Sequence, residues 1–385
     1  MDHLAPFPFV SVSGTPYERG RAYGAAVPER VARSAEIYGR ALDGLGASDA
    51  FRQRLTTEFA ARIEAFGVHY LEEMRGIADG AGVPLGDVVM INARTEVVAQ
   101  ARRQSAAPGE AAATPHEPEE GCTGAVILAG RSSNGRLLHG QNWDWRSECI
   151  ETGIVLRVHR DDGPDILTFV EAGGLARSGL NSAGIALTAN YLECERDFRT
   201  TGVPLSLLRR KILEQQHFAE AMGAVVNTPK SCANNLMMST AEGFAIDFEC
   251  APDEVFSVLP EDDMLVHANH WVSPAARSKL KDTGVANMPD SYYRDWRVKR
   301  LLQQAGTSLA LDDLKRAFFD DFATPFAVCR PPRPSSLSGN LSATVAMIAM
   351  EPASGFMDVL PLPALQRGFT RYSLTGQPRP VAEPA

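Results

Sequence analysis

The 385-residue sequence predicts an α+β fold whose strands and helices are grouped in layers rather than alternated. Three observations point there. Residues 1–103 carry apolar side chains at helical spacing, whereas residue 122 onward opens a series of short runs rich in β-branched and aromatic residues. Helices recur in groups after those runs, with Gly, Asn and Asp at the joints between strands. No Gly-x-Gly-x-x-Gly or P-loop stands between a strand and a helix, which excludes a doubly wound nucleotide fold.

The first helix is announced by "GTPYERGRAYG": Thr15 as N-cap, Pro16 at the first helical position and Glu18 three residues after the cap form a capping box. That helix is expected to run to about Leu45. A second is expected from Ser48, with Phe51, Leu55, Phe59, Ile63, Phe66, Tyr70 and Met74 along one stripe, ending at "DGAGVP". A third follows from Leu85 through "GDVVMINARTEVVAQA". An acidic, patternless linker then fills 104–121 and is expected to be flexible.

Strands are expected in "CTGAVILA", "RLLHGQNWDW", "GIVLRVHR", "DILTFVEAG" and "GIALTANYL". Asn134-Gly135 reads as a tight hairpin between the first two. Helices are expected at roughly 204–216 and 217–227, then strands in "ANNLMMST", "GFAIDFEC", "EVFSVL" and "MLVHANHW". Two helices near 291–305 and 310–320 precede the last strands, "ATVAMIAME" and "GFMDVLPLP".

Composition narrows the function. A net charge of −9 with no Lys/Arg block argues against nucleic-acid binding. No apolar run is long enough to span a membrane. The N-terminus lacks the basic and apolar regions of a secretory signal, and six cysteines without Cys-x-x-Cys pairs suit free thiols in a reducing cytoplasm. A cytoplasmic protein is the expectation. His267-x-x-His270 has no acidic or sulfur ligand at motif spacing, so no metal is expected, nor any cofactor.

The chemistry centres on the joint Gly121-Cys122, where the linker meets the first strand. A thiol there can attack the carbonyl of the preceding residue, shift the peptide to a thioester and let water release a chain that begins with Cys122. The freed α-amine, of ordinary pKa roughly 7.7–8.0, can act as the base for its own side chain without a histidine. Glycine suits the joint because it adds no Cβ. The competing reading of Cys122 is a small buried hydrophobe.

Two stretches add partners. In "GQNWDW", Asp144 can orient the new amine and Asn142 can brace it. A two-residue Asn134-Gly135 loop, however, pairs residues whose numbers sum to 269, which sets Cys122 on the face of Trp143 and Trp145 rather than Asp144. In "MLVHANHW", Asn269 offers a neutral amide donor to a developing oxyanion. Asn190, at the end of "GLNSAGIALTANYL", is a further oxyanion candidate.

Taken together, "GTPYERGRAYG", "GDVVMINARTE", "EEGCTG", "GQNWDW", "GLNSAGIALTANYL" and "VHANH" resemble, in order, the acyl-CoA:6-aminopenicillanic-acid acyltransferase family. This is the isopenicillin N acyltransferase-like branch of the N-terminal nucleophile (Ntn) hydrolases. The resemblance covers about Val10 to Pro363. It implies a four-layer αββα sandwich with two antiparallel sheets between helical layers. It also implies self-cleavage before Cys122 into an α chain, 1–121, and a β chain, 122–385, that stay associated as one structural domain. Carried over by position, Cys122 is the nucleophile, Asp144 the aspartate near the amine, Asn269 the oxyanion asparagine, Asn190 a looser match, and Thr344 the family's late-strand Ser or Thr. The chain departs from the family's fungal members in its long acidic linker and in lacking their peroxisomal signal.

The function that follows is an amidohydrolase or acyltransferase that handles an N-acylated amino acid or peptide-like small molecule through an acyl-Cys122 thioester. The partner is then a small acyl amide or thioester. Three alternatives stay open: a dedicated biosynthetic N-acyltransferase using acyl-CoA, an uncleaved binding protein of the same fold, and a Cys-His enzyme using His267 or His270.

Overall fold

A computed structural model describes residues 4–105, 121–334 and 341–381. Most of the linker expected over 104–121 lies outside the described residues.

The N-terminal part comprises strand β1 (Phe9–Val12) and helices α1 (Pro16–Ala26), α2 (Pro28–Gly44), α3 (Asp49–Phe66), α4 (Val68–Ala81), α5 (Leu85–Asn92) and α6 (Arg94–Ser105). The capping box of α1 forms as expected: Thr15 Oγ1 accepts from Glu18 N–H and Glu18 Oε2 accepts from Thr15 N–H. Each of the three long helices expected here is divided in two. Pro28 ends the first helix and starts the next, because proline disfavours helical geometry at the preceding residue, and Val27 sits at φ −142°. Gly67, in extended backbone, separates α3 from α4. Ala93 separates α5 from α6.

Strands β2 (Gly121–Ile127), β3 (Leu138–Arg146), β4 (Gly153–Val158), β5 (Ile166–Glu171), β6 (Ser178–Asn181) and β7 (Ile185–Tyr191) follow. Next come α7 (Leu205–Leu213), α8 (Phe218–Asn227), β8 (Asn234–Thr240), β9 (Ala245–Cys250), β10 (Val255–Val258) and β11 (Met264–His267). The chain continues through α9 (Pro274–Lys279), α10 (Ser291–Ala305), α11 (Leu311–Phe318), β12 (Arg333–Pro334), β13 (Leu341–Glu351), β14 (Phe356–Pro361), β15 (Thr370–Ser373) and β16 (Arg379–Pro380). The expected strands and the later helices are present. The sequence reading passed over β1, β6, β12, β15, β16 and α9, all too short to show a period.

The strands make two sheets. One runs β1-β4-β5-β6-β7-β8-β9-β10, and the other β11-β2-β3-β13-β14-β15-β16 with β12 also on β13. Pairing is antiparallel among the described strands except where β1 lies parallel to β4.

The buried apolar residues give the layer order. Tyr23, Leu55, Ile77, Val89 and Leu208 from the helices meet Leu156, Val170 and Leu187 of the first sheet. Between the sheets lie Cys122, Trp143, Phe169, Leu180, Ala346 and Ile348. Val298 and Leu302 of α10 and Leu314 and Phe318 of α11 pack on Ala125, Ile127 and Met347 of the second sheet. The chain is therefore an α+β sandwich of helix, sheet, sheet and helix. Among the described residues no helix is long and apolar enough to cross a membrane.

Candidate active site

Cys122 is the second residue of β2, a central strand of the second sheet, and is fully buried. The chain is continuous through Gly121-Cys122, so the Cys122 nitrogen here is a peptide N–H.

Register decides what each neighbour can do. The hairpin is longer than the two-residue turn expected: β2 ends at Ile127 and β3 starts at Leu138. Gly121 lies opposite Asp144, and Cys122 opposite Trp143. The shift from the two-residue register is even, so face parity is kept. Cys122 and Trp143 thus point together into the space between the sheets, and Asp144 points the other way, toward α10 and α11. Asp144 nevertheless sits at the joint: a Cβ on Gly121 would lie 2.8 Å from its Oδ2. That close approach explains why the joint residue is glycine. Gly121→Ala is expected to cost about 1–3 kcal/mol of overpacking at this spot. It should slow any cleavage there by roughly 10- to 100-fold, which a denatured-mass time course measures.

The carboxylate of Asp144 is held on several sides. Thr344 Oγ1 donates to Oδ1 at 2.6 Å, and Arg330 Nε lies 3.2 Å from Oδ2. The same Thr344 hydroxyl accepts from Arg330 N–H at 2.7 Å. Burial pushes the Asp144 carboxyl up, while Arg330, Arg294 and the Thr344 hydrogen bond pull it down. Thr344 and Asp144 are thereby brought together.

Asn269 lies two residues beyond the end of β11 and meets the nucleophile's backbone. Its Oδ1 accepts from Cys122 N–H at 2.9 Å, and its Nδ2 donates to Tyr191 O at 2.9 Å. Arg294, wholly buried on α10, donates to Cys122 O at 2.7 Å, to Thr123 Oγ1 at 2.9 Å and to Asn269 Oδ1 at 2.8 Å. Asp290 ties the two cations together, accepting from Arg294 Nε at 2.8 Å and from Arg330 Nη2. Burial works against the Asp290 charge, but Arg294 and Arg330 hold its carboxyl below the usual range.

On the other face, the Arg177 guanidinium lies 4.2 Å from the Trp143 ring centre and its Nη2 is 3.9 Å from Cys122 Sγ. Arg177, Arg294, Arg330 and Asp290 were missed by the sequence reading. A lone arginine on a predicted helix or in a turn reads as a solvated charge, and nothing in "SYYRDWRVKR" marks the one that turns inward.

Two expected participants have structural partners. Asn190 Nδ2 donates to His267 O and Ala268 O, both at 2.9 Å, and its Oδ1 accepts from Gln141, so its amide braces the segment that carries Asn269. Asn142 Nδ2 donates to Phe318 O and Val328 O, fixing the segment that leads to Arg330.

The two histidines are likewise engaged away from the thiol. His267 Nδ1 meets Ala268 O at 2.9 Å and Nε2 meets Glu249 Oε1 at 2.8 Å. His270 Nδ1 meets Ser291 Oγ at 2.8 Å, with Nε2 4.0 Å from Asp295. Burial works against a charged His267, but Asp247 and Glu249 outweigh it and raise its pKa to about 9. A raised folded-state value means the contribution is whole below the ordinary 6.5 and is lost as pH rises through about 9. Stability should fall over that window by on the order of 2–3 kcal/mol. Denaturant titrations at its two ends should show the fall in the wild type and a flatter profile in His267→Gln.

A family model described as Acyl-coenzyme A:6-aminopenicillanic acid acyl-transferase matches residues 131–357. That span holds Asp144, Asn190, Asn269 and Thr344; Cys122 precedes it. The chain is 29% identical over 330 residues to the acyl-coenzyme A:6-aminopenicillanic-acid-acyltransferase 40 kDa form of Emericella nidulans, covering 83% of this chain and 84% of that protein. It is 27% identical over 187 residues to the N-acylethanolamine-hydrolyzing acid amidase of Caenorhabditis elegans, covering 42% of this chain and 45% of that protein. Among solved structures, a mutant of the conjugated bile acid hydrolase from Clostridium perfringens superposes with a TM-score of 0.45 at 12% identity, over 68% of this chain and 96% of that one.

Proposed function

Because the chain belongs to the acyl-coenzyme A:6-aminopenicillanic acid acyl-transferase family, a group of Ntn-type acyltransferases and amide hydrolases, we propose that it is activated by cutting itself before Cys122. It then transfers the acyl group of an N-acylated amino acid or peptide-like small molecule through a Cys122 thioester. The observation that carries the reading is the convergence of buried polar groups on the Gly121-Cys122 joint. Cys122 N–H is held by Asn269 Oδ1, Cys122 O by Arg294, and the preceding glycine lies against Asp144.

In the first stage the thiol attacks the Gly121 carbonyl and the peptide C–N bond breaks as the nitrogen takes up a proton. Water then hydrolyses the thioester, leaving a Gly121 carboxylate and a free Cys122 amine. In the second stage that amine takes the thiol proton and the thiolate attacks the substrate carbonyl. The ammonium returns the proton to the departing amine, and water or an acceptor amine resolves the acyl-thioester. Asn269 Oδ1, accepting from the Cys122 nitrogen, keeps the amine in place across both stages. Arg177 sets a positive charge beside the sulfur when its negative charge forms.

Both nitrogens of His267 and Nδ1 of His270 are engaged elsewhere, which favours the amine over a histidine as base. The similarity to the Emericella acyltransferase favours one second reading, a dedicated acyl-CoA-dependent N-acyltransferase. Both are tested by incubating the protein with N-acyl amino acids or with acyl-CoA, quenching in acid and recording the mass of the chain that starts at Cys122. An added acyl mass on Cys122 from the amide supports hydrolysis or exchange of amides; an adduct from acyl-CoA alone supports the second reading; no adduct from either sinks both.

A further inference from the structure

Asn269 sits in the run His267-Ala268-Asn269-His270, and the two histidines grip one peptide unit from its two ends. The carbonyl of Ala268 accepts from His267 Nδ1 at 2.9 Å and from Asn190 Nδ2 at 2.9 Å. The amide of Asn269 donates to Ser291 Oγ at 2.7 Å, and that oxygen lies 2.8 Å from His270 Nδ1. Because the peptide unit is planar, fixing its C=O and its N–H fixes where the Asn269 side chain leaves the backbone. That side chain ends at the Cys122 nitrogen.

The hydrogen-bond partners set the charge on each ring. A neutral imidazole has one N–H and one lone pair, whereas the charged ring has two N–H groups. His267 faces an acceptor at both nitrogens, the Ala268 carbonyl and the Glu249 carboxylate. Both nitrogens therefore carry a proton, and the ring is a cation buried against an anion. Ser291 works the other way. Its oxygen accepts from Asn269 N–H, and its own proton then has His270 Nδ1 as acceptor, which leaves that ring neutral.

The surrounding charges agree. Burial opposes a charge on either ring. At His267 the carboxylates of Asp247 and Glu249, both on β9, outweigh it and raise the pKa to about 9. His270 faces the positive His267, Arg294 of α10 and Arg277 of α9, and its pKa falls to about 3. Asp295 of α10, near Lys299 and Arg294, is pushed up by burial to about 6, as is Asp247. Glu249 also accepts from Val272 N–H at 2.6 Å and Ser273 N–H at 3.0 Å, so one carboxylate ties His267 to the chain beyond Asn269.

We propose that His267, as a fixed imidazolium on Glu249, and Ser291, backed by a neutral His270, are positioning residues that clamp Asn269 onto the Cys122 nitrogen, so that the reaction requires His267 protonated. This rests on the reading of Cys122 as the acyl-accepting nucleophile, and the test separates the two. It also has a sign opposite to that of a histidine base. A base works when neutral, so its activity climbs as pH rises through its pKa. The clamp is whole at neutral pH and is lost as pH rises through about 9.

The probe is p-nitrophenyl acetate: the Cys122 sulfur takes the acetyl group and p-nitrophenolate leaves. Two readouts are taken on the full protein across this pH range, with circular dichroism at each pH to follow the fold. The first is the rate of p-nitrophenolate release, corrected with Cys122→Ala and matched to the acetyl mass on the Cys122 peptide. The second is hydrogen exchange of the peptide 264–273, corrected for intrinsic pH dependence; it needs no turnover.

A hydrogen bond to a charged group is worth roughly 10- to 100-fold. The wild-type rate should climb as the amine loses its proton near about 8. It should then fall on the order of tenfold as pH passes about 9, while exchange of 264–273 speeds up. In His267→Gln the rate should be about tenfold lower at neutral pH, with the alkaline fall gone. Ser291→Ala should lose a similar factor, and Ser291→Thr, which keeps the hydroxyl, should recover most of it; both should retain the alkaline fall. Should His267→Gln not fold, the wild-type profile and the Ser291 pair decide alone. A wild-type rate that levels off instead of falling, an alkaline fall that persists in His267→Gln, or a wild-type rate in Ser291→Ala would overturn the clamp. Faster alkaline exchange with no acetyl on Cys122 at any pH would leave the clamp standing and remove the nucleophile reading. Unchanged exchange with no acetyl would overturn both.

Discussion

Cys122→Ala is expected to remain a single chain and to lose turnover by on the order of 10⁴–10⁶, the size seen when a covalent nucleophile is removed. The substitution is mild for the fold. Alanine replaces a thiol packed between the sheets with Trp143, Phe169 and Ala346, and it leaves the backbone bonds to Asn269 and Arg294 unchanged. Thermal unfolding should therefore shift little while both cleavage and acyl transfer vanish. This separation matters, because a merely buried cysteine would show the opposite pattern: wild type and variant alike a single chain, with the variant modestly destabilised. Mass of the denatured chain, melting temperature and acyl-adduct formation on the same preparation distinguish the two.

Asn269→Ala is expected to lower kcat by roughly 10- to 100-fold, the size of losing one hydrogen bond to a charged group. The side chain accepts from Cys122 N–H and from Arg294, and donates to Tyr191 O. Its loss unties the nitrogen that becomes the base and leaves a buried guanidinium short of one acceptor. Part of the effect will be structural, since an unsatisfied buried polar group costs about 1–3 kcal/mol. The catalytic part shows as a fall in kcat that persists at temperatures well below the variant's own melting point. A variant with wild-type kcat would mean that Asn269 only packs.

Much of this arrangement was legible in the sequence, and for physical reasons. Thr15, Pro16 and Glu18 form a capping box because all three satisfy the same helix end. The strand beginning at Gly121-Cys122 is bounded by a change from a polar run to β-branched and aromatic residues, and β2 starts at that joint. The helix divisions at Pro28 and Gly67 were present in the sequence too, but a continuous apolar stripe masks a break that keeps the same face buried.

The rest depended on long-range contacts. The Asn134-Gly135 signal specifies a turn but not how many residues leave the ladder before it. The pairing of Gly121 with Asp144 was therefore out of reach, although its face parity was not. Arg177 and Arg294 come to Cys122 from β6's entrance and from α10, far along the chain, and no local spacing links them to it. The roles of Asn142 and Asn190 differ for a similar reason: an asparagine in a motif offers two donors, and only the tertiary neighbours decide which carbonyls receive them.

The central claim is that Cys122 becomes an N-terminal residue. The most direct test is the denatured mass of the purified wild-type protein, joined to N-terminal sequencing. The account predicts two chains, 1–121 and 122–385, the second beginning Cys-Thr-Gly. A single intact chain, stable on prolonged incubation and with Cys122 still in the interior of the sequence, would contradict it.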